Sequence, residues 1–186
     1  MCAICEFKIE FDISHPQALT VAVATRQAIE AGTLPERTFE GPLGNVKLRA
    51  AAIDALQKMQ SRIEEALTTS ELMALPDFYV LLIENATWGF FRATENGFDP
   101  EIVPDMPNVT SENLDERDIV VVAAEASMHF LLNEGMSFSQ AVAENLVVLD
   151  ANRSDRNRLL DALERGLARP SVPAVVRPVQ GLTLGA

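Results

Sequence analysis

The sequence predicts an α+β fold, a small and mostly antiparallel sheet covered by several helices. Three observations carry that expectation. Residues 5–13 alternate strictly, with Cys5, Phe7, Ile9, Phe11 and Ile13 on one side and Glu6, Lys8, Glu10 and Asp12 on the other, which is the period of a strand with one wet face. Such a strand suits an antiparallel sheet, because parallel strands are usually buried on both faces. Apolar residues also recur at three- and four-residue steps through 46–75 and 153–167, the stripe of core-facing helices. Between them lie short apolar runs bounded by turn residues, at 78–83, 88–94 and 146–149, which read as further strands.

Taken in order, Ser14 and Gln17 have capping-box spacing around Pro16, so a helix opens here and runs through Leu19, Val23 and Ile29 until Gly32 stops it. Residues 32–45 form a loop rich in glycine and proline. A long helix follows from Val46, with Ile53, Leu56, Met59, Ile63, Ala66 and Leu67 on its stripe, and Pro76 ends it at Leu75. Thr68, Thr69 and Ser70 predict a break inside it, with Ser70 capping the second piece. Phe78–Ile83 pairs with Trp88–Thr94 across a short connection, and Asn96-Gly97 marks the next turn.

From Asp99 to Asn113 the chain is irregular and acidic, either a lid or a connector. Asp115, Glu116 and Asp118 are placed as the acids of a helix's first turn. The run Ile119–Leu132 is then helical throughout, or starts as a valine-rich strand. Ser137 and Gln140 open a short helix, Leu146–Leu149 is a strand, and Arg153–Leu167 is a helix striped by Leu159, Leu160, Leu163 and Leu167. This predicts one α+β domain over residues 1–169 and an extended tail over 170–186, which holds three prolines and four valines.

With 186 residues and 48% hydrophobic content, the chain can close a core without staples. The net charge of −12 is unevenly spread: residues 1–149 hold 23 acids against 9 bases, and residues 150–186 hold 4 acids against 6 arginines. Nucleic acid is disfavoured as a partner, since binding it rests on neutralising phosphates with Lys and Arg. The arginine-bearing tail, or a helix face, is instead a candidate contact between copies in a homo-oligomer. The apolar runs, none longer than the six residues of Ile119–Ala124, fall far below the ~20 residues of a membrane span. The N-terminus lacks the basic region of a secretory leader, so a cytoplasmic location is expected.

Cys2 and Cys5, the only cysteines, form a C-x-x-C pair ahead of the alternating segment. A redox pair of the thioredoxin type sits at a helix N-terminus, which lowers the first thiol's pKa; here a strand follows. Two thiolates at this spacing suit half of a tetrahedral zinc site, making Cys2 and Cys5 candidate metal ligands. If residues 6–13 are straight, His15 stands roughly 30 Å from Cys5, at ~3.3 Å per residue. Completing the set then falls to His129, a carboxylate or the pair of a second copy. The competing reading is of incidental thiols at a chain end, or a reversible disulfide.

His15 beside Pro16 reads as a helix-entry residue, and His129, among Met128, Phe130, Leu131 and Leu132, as a partly buried histidine bonded to its surroundings. Asp150, Asn152, Ser154 and Asp161 fall at calcium-loop spacing, but the required glycine is replaced by Asp155, and a helix start capped by Asp150 or Ser154 accounts for them better. No dinucleotide, P-loop, zincin or nucleophile-elbow motif is present. Phe78, Tyr79, Trp88, Phe90, Phe91 and Phe98 form a dense aromatic group, either core or the lining of a pocket. Three functions follow as expectations. The first is a non-enzymatic accessory or binding protein acting as an oligomer. The second is a metal module on Cys2 and Cys5, and the third a small-molecule or enzymatic pocket near the aromatic hairpin.

Overall fold

The computed structural model of the chain describes residues 14–168. The strand expected over 5–13, the candidate ligands Cys2 and Cys5, and the tail over 170–186 lie outside the described residues. Helix α1 (Ala18–Glu30) is entered differently from the capping box expected at Ser14: Gln17 holds the cap position without a side-chain bond, and its amide donates to Nδ1 of His15 at 3.1 Å. Gly32, at φ +75°, ends the helix in the left-handed conformation that suits glycine.

Helix α2 (Gly44–Ala66) buries Ala52, Ala55, Leu56, Met59 and Ile63. Val46, expected on the same stripe, is 63% exposed, because no residue of α2 between Gly44 and Ala52 is buried. The break comes where the threonines predict it, but Thr68 caps α3 (Thr69–Met73), not Ser70. A reciprocal box needs a carboxylate three residues on, and Glu71 supplies it: its amide donates to Thr68 Oγ1 at 3.3 Å, and its carboxylate accepts from the Thr68 amide at 2.8 Å.

Strands β1 (Phe78–Leu82) and β2 (Thr87–Phe91) form the expected antiparallel hairpin, and β3 (Ala93–Thr94) with β4 (Gly97–Phe98) forms a two-stranded one. Past residue 98 the acids do not start a helix. Leu114–Glu116 is a single 3₁₀ turn, and the β-branched run then becomes β5 (Val120–Ala123), as suits residues stiff at χ1. Glu125 is the first-turn acid of α4 (Glu125–Leu132). Ser137 caps α5 (Phe138–Ala143), accepting from the Gln140 amide at 3.0 Å. Strand β6 (Val147–Asp150) leads to α6 (Arg153–Leu167), whose cap is Asn152, not Asp150 or Ser154. The calcium-loop spacing therefore spans a strand end and a helix.

The main sheet has the order β2-β1-β5-β6. Its outer pairings are antiparallel and the central β1–β5 pairing is parallel, so the sheet is mixed and the fold is α+β. Period-2 alternation divides its side chains. Phe78, Val80, Leu82, Phe91, Val121, Ala123, Val147 and Leu149 pack with α2, α4, α5 and α6 in the larger core. Tyr79, Leu81, Trp88, Phe90, Val120 and Val122 form a second, smaller cluster with Val21 of α1 and Val109 of the 99–119 segment. Helices α2 and α6 meet so closely at Gly166 that a Cβ there would lie 2.8 Å from Ile63 Cγ1. No helix among the described residues is long and apolar enough to cross a membrane.

Candidate functional site

The β1–β2 register sets Tyr79 opposite Phe90 and Leu81 opposite Trp88, on the sheet face away from the large helical core. The Tyr79 and Phe90 rings lie 4.7 Å apart, and Trp88 meets Tyr79 edge-on at 6.2 Å. Phe78, Phe91 and Phe98 go to the opposite side, where Phe78 stacks on Phe91 at 4.9 Å. The aromatic group is thus both core and pocket lining, divided by the sheet.

Where the coil after β4 passes over Tyr79 and Phe90, it leaves a cavity of about 340 Å³, lined by Asp77, Tyr79, Phe90, Arg92, Ile102, Val103, Pro104, Asp105 and Asp118. The Tyr79 hydroxyl donates to the Asp105 carbonyl at 2.9 Å, tying this coil to the hairpin. Burial, then the nearby Asp118, Asp105 and Asp77, push the Tyr79 phenol up to about 12, so it is a protonated hydroxyl at neutral pH. Arg92 donates through Nε to Asp77 at 2.7 Å, and its guanidinium carbon stands 5.5 Å from the Phe90 ring centre. Asp118 accepts from the Asn108 amide at 2.7 Å, and further Asx-type bonds at Asn108, Ser111 and Asn113 hold the coil from 108 to 118 in shape.

A second cavity, of about 380 Å³, lies between the end of α4, the start of α5 and the last turn of α6. Its lining includes Glu164, which is engaged by the Ser139 amide and hydroxyl at 2.6 and 2.9 Å, and Glu134, which lies 4.0 Å from Arg62. Those bonds join helices, and this cavity is the larger but chemically the plainer of the two.

Sequence reasoning missed an ionic cluster at the carboxyl ends of the parallel strands. Glu84, just after β1, accepts the Glu125 amide with both oxygens at 2.9 and 2.8 Å, capping α4 from outside. The Glu125 side chain is 3% exposed and pairs with Arg37, whose guanidinium also lies over the Phe39 ring at 5.3 Å. Burial raises both carboxyls; at Glu125, Arg37 opposes that and Glu84 adds to it. Neither described cavity is lined by these residues, and the cluster fastens the α1–α2 loop to the sheet. Isolated glutamates in unrelated parts of the sequence carry no spacing signal that would have found it.

His15 is buried at the entry to α1, as its place beside Pro16 predicts. Nδ1 accepts the Gln17 amide, so Nε2 carries the proton toward Asp150 at 3.1 Å, and Asp150 is also 3.4 Å from Arg117. Desolvation outweighs Asp150 and holds the imidazole below its usual pKa, a neutral cross-link between α1 and β6. His129 is partly buried on α4 beside Asn133 at 2.8 Å, and burial, Arg37 and Lys58 lower its pKa. The two histidines belong to separate clusters. Among the described residues no group of three or more His, Cys, Asp or Glu is placed to hold a metal ion.

No protein-family model matches the chain, and neither curated proteins nor solved structures provide a significant match.

Proposed function

We propose that this chain is a non-enzymatic binding protein that takes a small organic ligand in the cavity at the aromatic hairpin. The observation that carries this reading is the cavity itself. Tyr79 and Phe90 lie at its base, both buried, with charged groups around them, and about 340 Å³ falls within the usual 300–1,000 Å³ of small-molecule pockets. Binding is favoured over turnover because the described lining residues include no Ser, Thr, Cys, His or Lys. Its phenol stays protonated at neutral pH, and Asp77 is committed to Arg92. Among the described lining residues no activated nucleophile is paired with a base.

Amide NMR of the full chain titrated with a set of small aromatic compounds tests the proposal. Shifts concentrated at residues 77–79, 90–92, 102–105 and 118, and lost in Phe90→Ala, are the expected result. Shifts confined to other regions, or none at all, would remove it.

A further inference from the structure

We infer that His15 is a proton-operated latch on the first turns of α1, closed while the imidazole is neutral and released when it is protonated. The bonds of the ring set this polarity. Nδ1 accepts the amide of Gln17, the residue at which α1 begins, at 3.1 Å, and Nε2 donates to Oδ2 of Asp150 at 3.1 Å. Protonation turns both nitrogens into donors. The Nδ1 proton would then meet the Gln17 N–H, donor against donor, so the charged ring keeps Asp150 only by giving up the helix start.

The surroundings oppose the charge as well. Among the described residues two charged groups face the ring, Asp150 of β6 and Arg117 ahead of β5. Asp150 favours the imidazolium, but its same Oδ2 lies 3.4 Å from Arg117, which repels it. Burial outweighs the carboxylate and holds the imidazole below its ordinary 6.5.

Little else fastens this end of the helix. Ahead of Thr25, Val21 is the one buried residue of α1, while Leu19 and Val23 stand exposed. Val21 belongs to the second cluster with Val120 and Val122 of β5, and Thr25 bonds Ser127 of α4 at 3.2 Å. The far end is fixed by groups other than His15. There the Leu34 amide donates to the Ala28 carbonyl at 3.2 Å, Leu34 is buried, and Arg37 pairs with Glu125. Release therefore frees residues 15–24, leaves the helix from Thr25 onward in place, and withdraws Val21 from the face of β5.

Amide hydrogen exchange of the full chain, followed by NMR from pH 7.5 to 4.5 and corrected for the intrinsic rate at each pH, tests the latch. Protection at 21–24 should fall about ten-fold for each pH unit below 6.5 until the folded imidazole itself titrates. Amides of 120–123 should hold theirs. His15→Gln offers a carbonyl to Gln17 and an amide to Asp150 without titrating, and should keep protection at 21–24 constant. His129→Gln, which removes the other histidine, should leave the fall unchanged. A fall that persists in His15→Gln, that disappears in His129→Gln, or that β5 shares to the same degree overturns the latch, as does constant protection down to pH 4.5. Should His15→Gln leave these turns open at every pH, the unsubstituted chain decides: the fall must level off where the His15 ring resonances titrate, and a mismatch overturns the latch.

Discussion

The β1–β2 hairpin has two aromatic faces with different fates. On one, Phe78 and Phe91 stack at 4.9 Å, Phe98 meets Phe91 edge-on at 5.3 Å, and helices close over them. On the other, Tyr79 and Phe90 meet at a tilt under a coil whose bonds run largely from side chains to backbone. Over Phe78 and Phe91 the helices bring apolar stripes that close the space, whereas over Tyr79 and Phe90 the coil brings fewer apolar groups and leaves a cavity. The same residue type therefore packs beneath helices on one side of a strand and beside a cavity on the other.

The largest expected difference tests this contrast directly. Phe91 is fully buried and Phe90 is 7% exposed. Phe91→Ala should destabilise by about 3–5 kcal/mol, as for aromatic truncation in a rigid core. Phe90→Ala should cost about half as much or less, because the coil can settle into the space. Equal losses in urea unfolding would show that the coil is as rigid as the helices. A smaller effect sharpens the helical side: Gly166→Ala places a Cβ against Ile63, and about 1–3 kcal/mol should be lost as α6 is pushed from α2. An unchanged midpoint would mean that the two helices can separate freely.

The smallest effects concern pH. His15 has its pKa lowered from 6.5, so its contribution is complete above 6.5 and is lost as pH falls through the window below it. Glu84 and Glu125 are raised from 4.5, so stability is greatest below 4.5 and declines as pH rises toward their folded values. The two slopes oppose each other. His15→Gln should make stability fall less on acidification from pH 7, and Glu125→Gln should weaken its decline above pH 4.5. Chemical denaturation across pH 4–8 would contradict the assignment if the two variants kept the parent's profile.

Much of the architecture was legible because it follows from periodicity. Leu159, Leu163 and Leu167 mark α6, and the short apolar runs at 78–83 and 88–94 with a brief connection between them mark the hairpin. The parallel β1–β5 pairing was not legible, because a valine run does not name its neighbour. The cap at Thr68 was displaced by two residues because three hydroxyl residues compete there, and only the position of Glu71 decides among them. Of the candidate site, the aromatic half could be read locally. The charged half could not: Asp118 looked like a helix-start acid, and its meeting with Asp77 and Asp105 depends on the path of a coil that has no periodic signal.

The lone parallel seam has a kinetic consequence. Partners β1 and β5 are separated by residues 83–119, while β1 and β2 are joined by a short turn. Closing the longer loop sacrifices more chain freedom before any bond forms, so the hairpin should assemble early and the seam late. In a pulse-labelled refolding experiment, amides of 87–91 should become protected before those of 120–123. During synthesis the ribosome imposes the same order, since the hairpin emerges while its parallel neighbour is still being made.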